Sequence, residues 1–312
     1  MKTISMKEKV TIIGAGNVGT TLAHIIVQSG IANVVLYDIV EGLPQGKALD
    51  LSEACPLWDS TATILGTSSY DDTVYSDIIV VTAGFPRKPG MSRDDLFNIN
   101  GKIITEVVEN TSKLSPEAVM IVVTNPMDAM AQLSMRVSGF GSKRVIGMGG
   151  MLDSARFGTF VAWELGVSVE DVESLVLGGH GDLMVPMPRF TTVKGIPIAE
   201  FISKERIDAL VERTRRGGEE VVKFLKTGSA HYAPAAAIYQ MIKAIIFDEK
   251  RMVSCSAYLT GEYGVKGVYT GVPIILGSRG IEKIIELPLN EEERKDFDKS
   301  VAATMALIKQ LG

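Results

Sequence analysis

His180 stands between glycines in LGGHGDLMVP, behind an apolar run that reads as a strand. An imidazole can take up and return a proton near neutral pH, and glycines beside it let substrate and backbone approach the ring. Upstream, MLDSARF places Asp153 and Arg156 three positions apart at the start of a helical pattern, so the two side chains leave from one face. A carboxylate can orient a protonated imidazole while a guanidinium grips an acid group. Together the three would make a site for a 2-hydroxy or 2-oxo acid. The plainer alternatives are a histidine satisfied at a strand end and a surface ion pair of little energetic value. A fourth residue, Asn125 in VVTNP, falls at the carboxyl end of a strand, where ligands bind in open α/β sheets. It could donate to a carbonyl oxygen, although Asn before Pro is also a common turn residue.

A second set of residues suits a dinucleotide. Gly14, Gly16 and Gly19 form G-x-G-x-x-G directly after the strand pattern KVTII and at the start of a helical one. The first glycine permits the tight turn, the second lets backbone approach a pyrophosphate, and the third lets helix sit close on strand. Asp38 ends the next strand, NVVLYD, 19 residues past Gly19, placed to accept the ribose hydroxyls. Its carboxylate would repel a 2′-phosphate and IVEGL directly beyond it supplies no Arg to offset that, so NAD is favoured over NADP. A third stretch, AGFPRKPGMSRDD, concentrates Arg87, Lys88 and Arg93 in a chain whose formal net charge is -5. Pro86, Pro89 and Gly90 keep this stretch from being helix or strand, so it reads as a loop through Asp95.

The elements that must position these residues alternate. Six β-rich runs, KVTIIGAG, NVVLYD, ATILGT, SDIIVVTAG, AVMIVVTNP and KRVIGM, are separated by amphipathic helical patterns, which reads as βαβ repeats and a parallel sheet. IIVV and MIVV are apolar on both faces, so helices should cover both sides of a doubly wound sheet. After Gly150 the rhythm changes: a helix through MLDSARFGTFVAWELG, short strands, a polar helical stretch from Ser203 to Leu225, a helix over Ala233 to Phe247, further strands, and a helix from Asn290. The expected fold is α/β, an N-terminal Rossmann domain over residues 1–149 and a C-terminal mixed α+β substrate domain over 150–312.

Composition excludes several classes. With 46% hydrophobic and 22% charged residues the chain is an ordinary globular one, and its mild acidity argues against a nucleic-acid surface. No apolar run reaches the length of a membrane span, and MKTISMKEKVTIIGAG lacks the pattern of a secretory signal. Cys55 and Cys255 need no disulfide framework and are expected to be buried thiols, which suits a cytoplasmic location. His24, His180 and His231 are far apart and none is spaced with Cys or acid as zinc ligands are, so no metal is expected. There is no G-x-S-x-G elbow. His24 falls in the apolar pattern of the first helix and reads as a packing residue, while His231 could line the pocket.

GAGNVG, VTAG, the charged loop ending in SR, VTNP, LDSARF, GGHGD, and EYG with a following GVP resemble, in this order, the motifs of the lactate/malate dehydrogenase family over essentially the whole chain. GGHGD and EYG are similar to its lactate-dehydrogenase-like malate dehydrogenases. The resemblance implies NAD-dependent, reversible oxidation of (S)-malate to oxaloacetate, a tricarboxylic acid cycle reaction. It implies His180 as proton donor and acceptor, Asp153 as its orienting partner, Arg156 as clamp on the C1 carboxylate, and Arg93 as the mobile-loop residue that polarises the carbonyl. Asn125 would touch substrate and nicotinamide. Ala15, Asn17 and Val18 with the three glycines, Thr82, Ala83, Gly84, Asn100, Val123 and Thr124 would line the cofactor. The position of Arg87 is typically Gln in lactate dehydrogenases and Arg in malate dehydrogenases. Oxaloacetate is a dianion whose second carboxylate, once a lid excludes water, would lie buried without a partner, and Arg87 supplies one. Lys88 then adds steering potential. Ser229 and Ala230 correspond to a pocket wall. The family implies a homo-oligomer, a tetramer in preference to a dimer. The alternatives are an L-lactate or other 2-hydroxy acid dehydrogenase and, more remotely, a non-catalytic NAD-sensing module.

Overall fold

The computed structural model describes residues 7–85 and 93–311. Its first half is a parallel sheet of β1 (Lys9–Ile13), β2 (Asn33–Tyr37), β3 (Ile64–Thr67), β4 (Ile78–Val81), β5 (Val119–Val122) and β6 (Val145–Gly147). They lie in the order β3-β2-β1-β4-β5-β6, and each neighbouring pair is parallel. Strand order therefore reverses between β1 and β4, the place where doubly wound sheets open a crevice at their carboxyl ends. β4 and β5 are buried at every position, as expected of strands apolar on both faces. The crossovers carry α1 (Asn17–Ser29), α2 (Leu43–Ala54), α3 (Arg93–Leu114) and α4 (Met127–Ser138). α1 ends at Gly30 and α4 at Gly139, both in the left-handed conformation that glycine adopts without penalty.

The second half begins with α5 (Gly149–Leu165) and a set of two-residue strands, β7 (Val172–Glu173), β8 (Val176–Leu177), β9 (Val185–Pro186), β10 (Thr192–Val193) and β11 (Ile196–Pro197). The polar stretch read as one helical segment from Ser203 to Leu225 is two helices, α6 (Lys204–Arg215) and α7 (Gly217–Leu225). The break falls at Arg216, before a Gly217-Gly218 pair that is poor in a helix interior. α8 (Tyr232–Ile246) packs on α1, and α9 (Glu291–Ile308) starts with a capping box in which Asn290 and Glu293 satisfy each other's backbone N–H groups.

The long strands β12 (Arg251–Thr260), β13 (Lys266–Gly277) and β14 (Gly280–Ile284) form no separate sheet. They extend the parallel one by successive antiparallel pairings, in the order β14-β13-β12-β6, joined where Ser256 pairs with Gly147. One apolar core accordingly runs from Val10 and Leu22 through Ile121 to Val272 and Phe297, with a satellite around Phe157, Val161, Ile198 and Leu210. Among the described residues no helix is long and apolar enough to cross a membrane.

Candidate active site

The first glycine of the turn has φ +110°, and a Cβ there would lie 2.7 Å from Thr82 Oγ1 and 2.8 Å from Ala83 N. A Cβ on Gly19 would overlap the Gly14 carbonyl oxygen, so the start of α1 touches the strand end only because both residues are glycine. Gly16 behaves differently: nothing lies within 4 Å of where its Cβ would be. Space beside backbone at the N-terminus of a helix is what a pyrophosphate needs. Asp38 Oδ2 accepts the Ala15 N–H at 2.8 Å and Oδ1 the Val40 N–H at 3.0 Å, tying the acid to the turn. Lys47, which sequence reasoning missed, reaches from α2 to donate to the Ala15 carbonyl at 2.5 Å. These residues fit the adenosine and pyrophosphate of NAD.

Residues expected along the nicotinamide side follow β4 and β5. Thr82 donates to the carbonyls of Ile13 and Gly14, both at 3.1 Å, and Thr124 to that of Ala83 at 2.6 Å, binding the ends of β1, β4 and β5 into one rim. Asn100 is buried and its amide is fully engaged: Oδ1 accepts Phe85 N–H at 2.6 Å, and Nδ2 donates to Phe85 O at 3.3 Å and Asn125 O at 2.6 Å. What it contributes here is the position of Phe85 and Asn125. Gly84 lets this happen, since a Cβ there would lie 2.5 Å from Thr124 Cγ2. Asn125 is exposed at the end of β5, with a cis bond to Pro126.

Across the rim, α5 and the loop after β8 bring His180, Asp153 and Arg156 together. Asp153, 1% exposed, holds His180 Nδ1 with Oδ2 at 2.8 Å and accepts Arg156 Nη1 on Oδ1 at 3.2 Å. One buried carboxylate thus serves both side chains, and the Asp153–Arg156 ion pair, which does form, lies in the interior and not at the surface. A ring held at Nδ1 presents Nε2 to a substrate. Burial favours the neutral ring, but the charge and hydrogen bond of Asp153 and the charge of Asp128 outweigh it and hold the His180 pKa above the ordinary histidine value. Arg156 lies against Gly217, where an added Cβ would overlap its Cδ. The α6–α7 break therefore has a steric purpose at the site.

Sequence reasoning missed Asp128 as well. In TNPMDAM it looks like an ordinary first-turn acid of a helix. Its burial, its bond to the His180 backbone and its bond to Ser256 appear only once β12 is laid beside β6. Burial pushes its carboxyl pKa up, against these hydrogen bonds, which favour the ionised form.

Other expectations fare variously. Arg87 and Lys88 lie outside the described residues, as does the side chain of Arg93. The loop ends earlier than Asp95, because α3 begins at Arg93: prolines and glycines stop at Gly90 and helical apolar spacing resumes. His24 packs on the surface instead of in the core, its ring 4.8 Å from and nearly parallel to that of Trp58. His231 leans on Tyr232 at 4.1 Å, next to exposed Ser229. Cys55 and Cys255 are free and buried. No cluster of metal-ligating side chains occurs among the described residues.

The model for the NAD binding domain of lactate/malate dehydrogenases matches residues 8–147, and that for the family's alpha/beta C-terminal domain matches residues 150–311. A curated relative described as malate dehydrogenase, from Roseiflexus sp. (strain RS-1), is 54% identical over 306 residues, 98% of this chain and 99% of its own. Among solved structures, a malate dehydrogenase from Cryptosporidium parvum superposes with a TM-score of 0.96 at 43% identity, covering 98% of this chain and 99% of that one. A lactate dehydrogenase from the same organism, complexed with lactic acid and β-nicotinamide adenine dinucleotide, also reaches 0.96, at 42% identity over 99% of both chains. A backbone this similar to both cannot tell the two substrates apart, but motif order, glycine turn and His–Asp–Arg cluster agree on the larger group: the chain belongs to the lactate/malate dehydrogenase family.

Proposed function

We propose that the chain is an NAD-dependent malate dehydrogenase that interconverts (S)-malate and oxaloacetate. The observation that carries the chemistry is the shared carboxylate of Asp153, which orients His180 at 2.8 Å and Arg156 at 3.2 Å across the sheet crevice from the glycine turn. NAD, when bound along that turn, supplies the hydride acceptor or donor. In malate oxidation His180 Nε2 takes the proton of the C2 hydroxyl, and in oxaloacetate reduction it returns that proton to the C2 oxygen. Asp153 keeps the Nδ1–H tautomer and stabilises the imidazolium. Arg156 binds the C1 carboxylate, and Asn125 donates to the C2 oxygen. Arg93 polarises the carbonyl, and Arg87 pairs with the second carboxylate. The choice of a dicarboxylate is supported by the residue type at position 87 and by the malate dehydrogenases among the relatives.

The test is NADH oxidation with oxaloacetate and with pyruvate, side by side, for wild type and Arg87→Gln. Truncating one member of a buried charge pair costs about 2 to 5 kcal/mol, roughly 30-fold to a few thousand-fold. Oxaloacetate should be preferred, and the variant should lose that preference by such a factor. Preference for pyruvate in the wild type would sink the dicarboxylate reading, and NADH binding without turnover of either acid would revive a sensing module.

We further propose a two-domain division at 149/150, supported by the change from parallel to antiparallel strands after β6, and a place for the enzyme in the tricarboxylic acid cycle. Cytoplasmic residence is supported by two buried, unpaired thiols. A homo-oligomer, tetramer over dimer, is supported by exposed apolar side chains such as Leu57, Trp163 and Tyr75, which subunit contacts would cover. Sedimentation at micromolar concentration distinguishes a monomer, which would refute it.

A further inference from the structure

The Asp153–His180 pair has a second carboxylate behind it. Asp128, in the first turn of α4, is 6% exposed, and among the described residues no Lys or Arg forms an ion pair with it. Its Oδ2 accepts the backbone N–H of His180 at 2.8 Å and its Oδ1 the hydroxyl of Ser256, from β12, at 2.6 Å. Gly179 makes room for it, since a Cβ there would lie 3.2 Å from Asp128 Oδ2. The residues before His180 are fixed too. Gly178 and Gly271 exchange two backbone hydrogen bonds, at 2.9 and 3.0 Å, and Gly179 N–H donates to Ser300 Oγ on α9 at 2.8 Å. Of the anchors on the backbone of these three consecutive residues, only Asp128 can carry charge.

A buried carboxylate without a cation is costly, and the ring is positioned to offset that cost. Among the described residues, the charged groups acting on the ring are Asp153 and Arg156 from α5 and Asp128 from α4; β12 and α9 contribute the neutral Ser256 and Ser300. With Asp128 ionised, as its two hydrogen bonds favour, and the ring protonated, the two acids and two cations among the described residues balance. With the ring neutral, a net negative charge stays buried.

We propose that Asp128 is a positioning residue for His180: it fixes the ring's backbone and places beneath it a second buried negative charge that favours the protonated ring. The catalytic meaning rests on the reading of His180 as proton carrier, but the electrostatic effect can be measured without turnover.

The experiment is an NMR titration of the histidine rings in wild type and Asp128→Asn, without substrate. The chain has only three histidines, and His24 and His231 serve as internal references. In the variant the His180 titration should move to lower pH by roughly one unit, a tenfold loss of proton affinity, with the other two unmoved. The pH limbs of kcat/KM for oxaloacetate reduction and for malate oxidation should move the same way. Should Asp128→Asn fail to fold, Ser256→Ala leaves the carboxylate but removes a donor to its ionised form, and a smaller shift in the same direction is expected. A His180 titration that stays put in the folded variant overturns the proposal, even if activity falls. If it moves in a protein that turns over no 2-oxo acid, the functional reading fails and the role of Asp128 stands.

Discussion

The two halves of the site are built in opposite ways. The nucleotide end is made of backbone: Gly14, Gly16 and Gly19 act within six residues of chain, and their value lies in the side chains they lack. The proton-transfer end is made of side chains, and its members come from α4, α5, the loop after β8, and β12. A local site tolerates error elsewhere in the fold, whereas an assembled one is only as accurate as the packing of every element that contributes to it.

The contrast can be broken most sharply at His180. His180→Asn should lower kcat/KM for oxaloacetate by about 10²- to 10⁴-fold, the usual worth of a positioned acid–base group, while NADH fluorescence titration returns an unchanged Kd. A comparable loss of NADH affinity would mean the two ends are not separable. Next comes Gly217→Ala, which crowds Arg156 without touching its charge. It should raise KM for oxaloacetate about tenfold, as loss of one well-placed contact worth about 1.4 kcal/mol does, and leave NADH binding alone. Unaltered KM would show that Arg156 can move aside without cost.

Gly16→Ala addresses the nucleotide end with a small structural effect. Because open space surrounds that position, thermal stability should change by no more than about 0.5 kcal/mol, yet NADH affinity should fall, since the methyl group occupies the approach to the phosphates. A stable variant that binds NADH normally would remove Gly16 from the cofactor site. The subtlest prediction concerns pH. His180 releases its proton above the ordinary value of 6.5, so oxaloacetate reduction, which needs the ring protonated, should be lost only above that pH. Malate oxidation, which needs it neutral, should rise over the same range. Matching profiles in both directions would argue against His180 as the proton carrier.

The same contrast explains what could be read from the sequence. Glycine spacing, the acid at Asp38 and the six strand runs are local patterns with local causes, and the structure follows them closely. Asp153 and Arg156 were visible because a helix puts residues three apart on one face. Asp128 carries no such mark; it becomes special through Ser256, which lies 128 positions away. The α6–α7 break was hidden for a related reason: Gly217 reads as a weak helix residue until Arg156 is seen lying against it. The continuation of the sheet by β12 to β14 could not be foreseen either, because pairing partners of long antiparallel strands are set by tertiary contacts and not by their own patterns.

That continuation has a mechanical consequence. Many enzymes with a nucleotide lobe and a substrate lobe open and close by swinging one against the other. Here the seam is stitched by Ser256 and Gly147 in one sheet, and glycines at 147, 149 and 150 leave no slack against Met127, His180 and Ser254. Swinging the lobes would tear hydrogen bonds and pull apart elements packed so closely that no Cβ fits at these glycines. The molecule is in this respect a single rigid anvil, and whatever shape change accompanies turnover must be carried by pieces mounted on it.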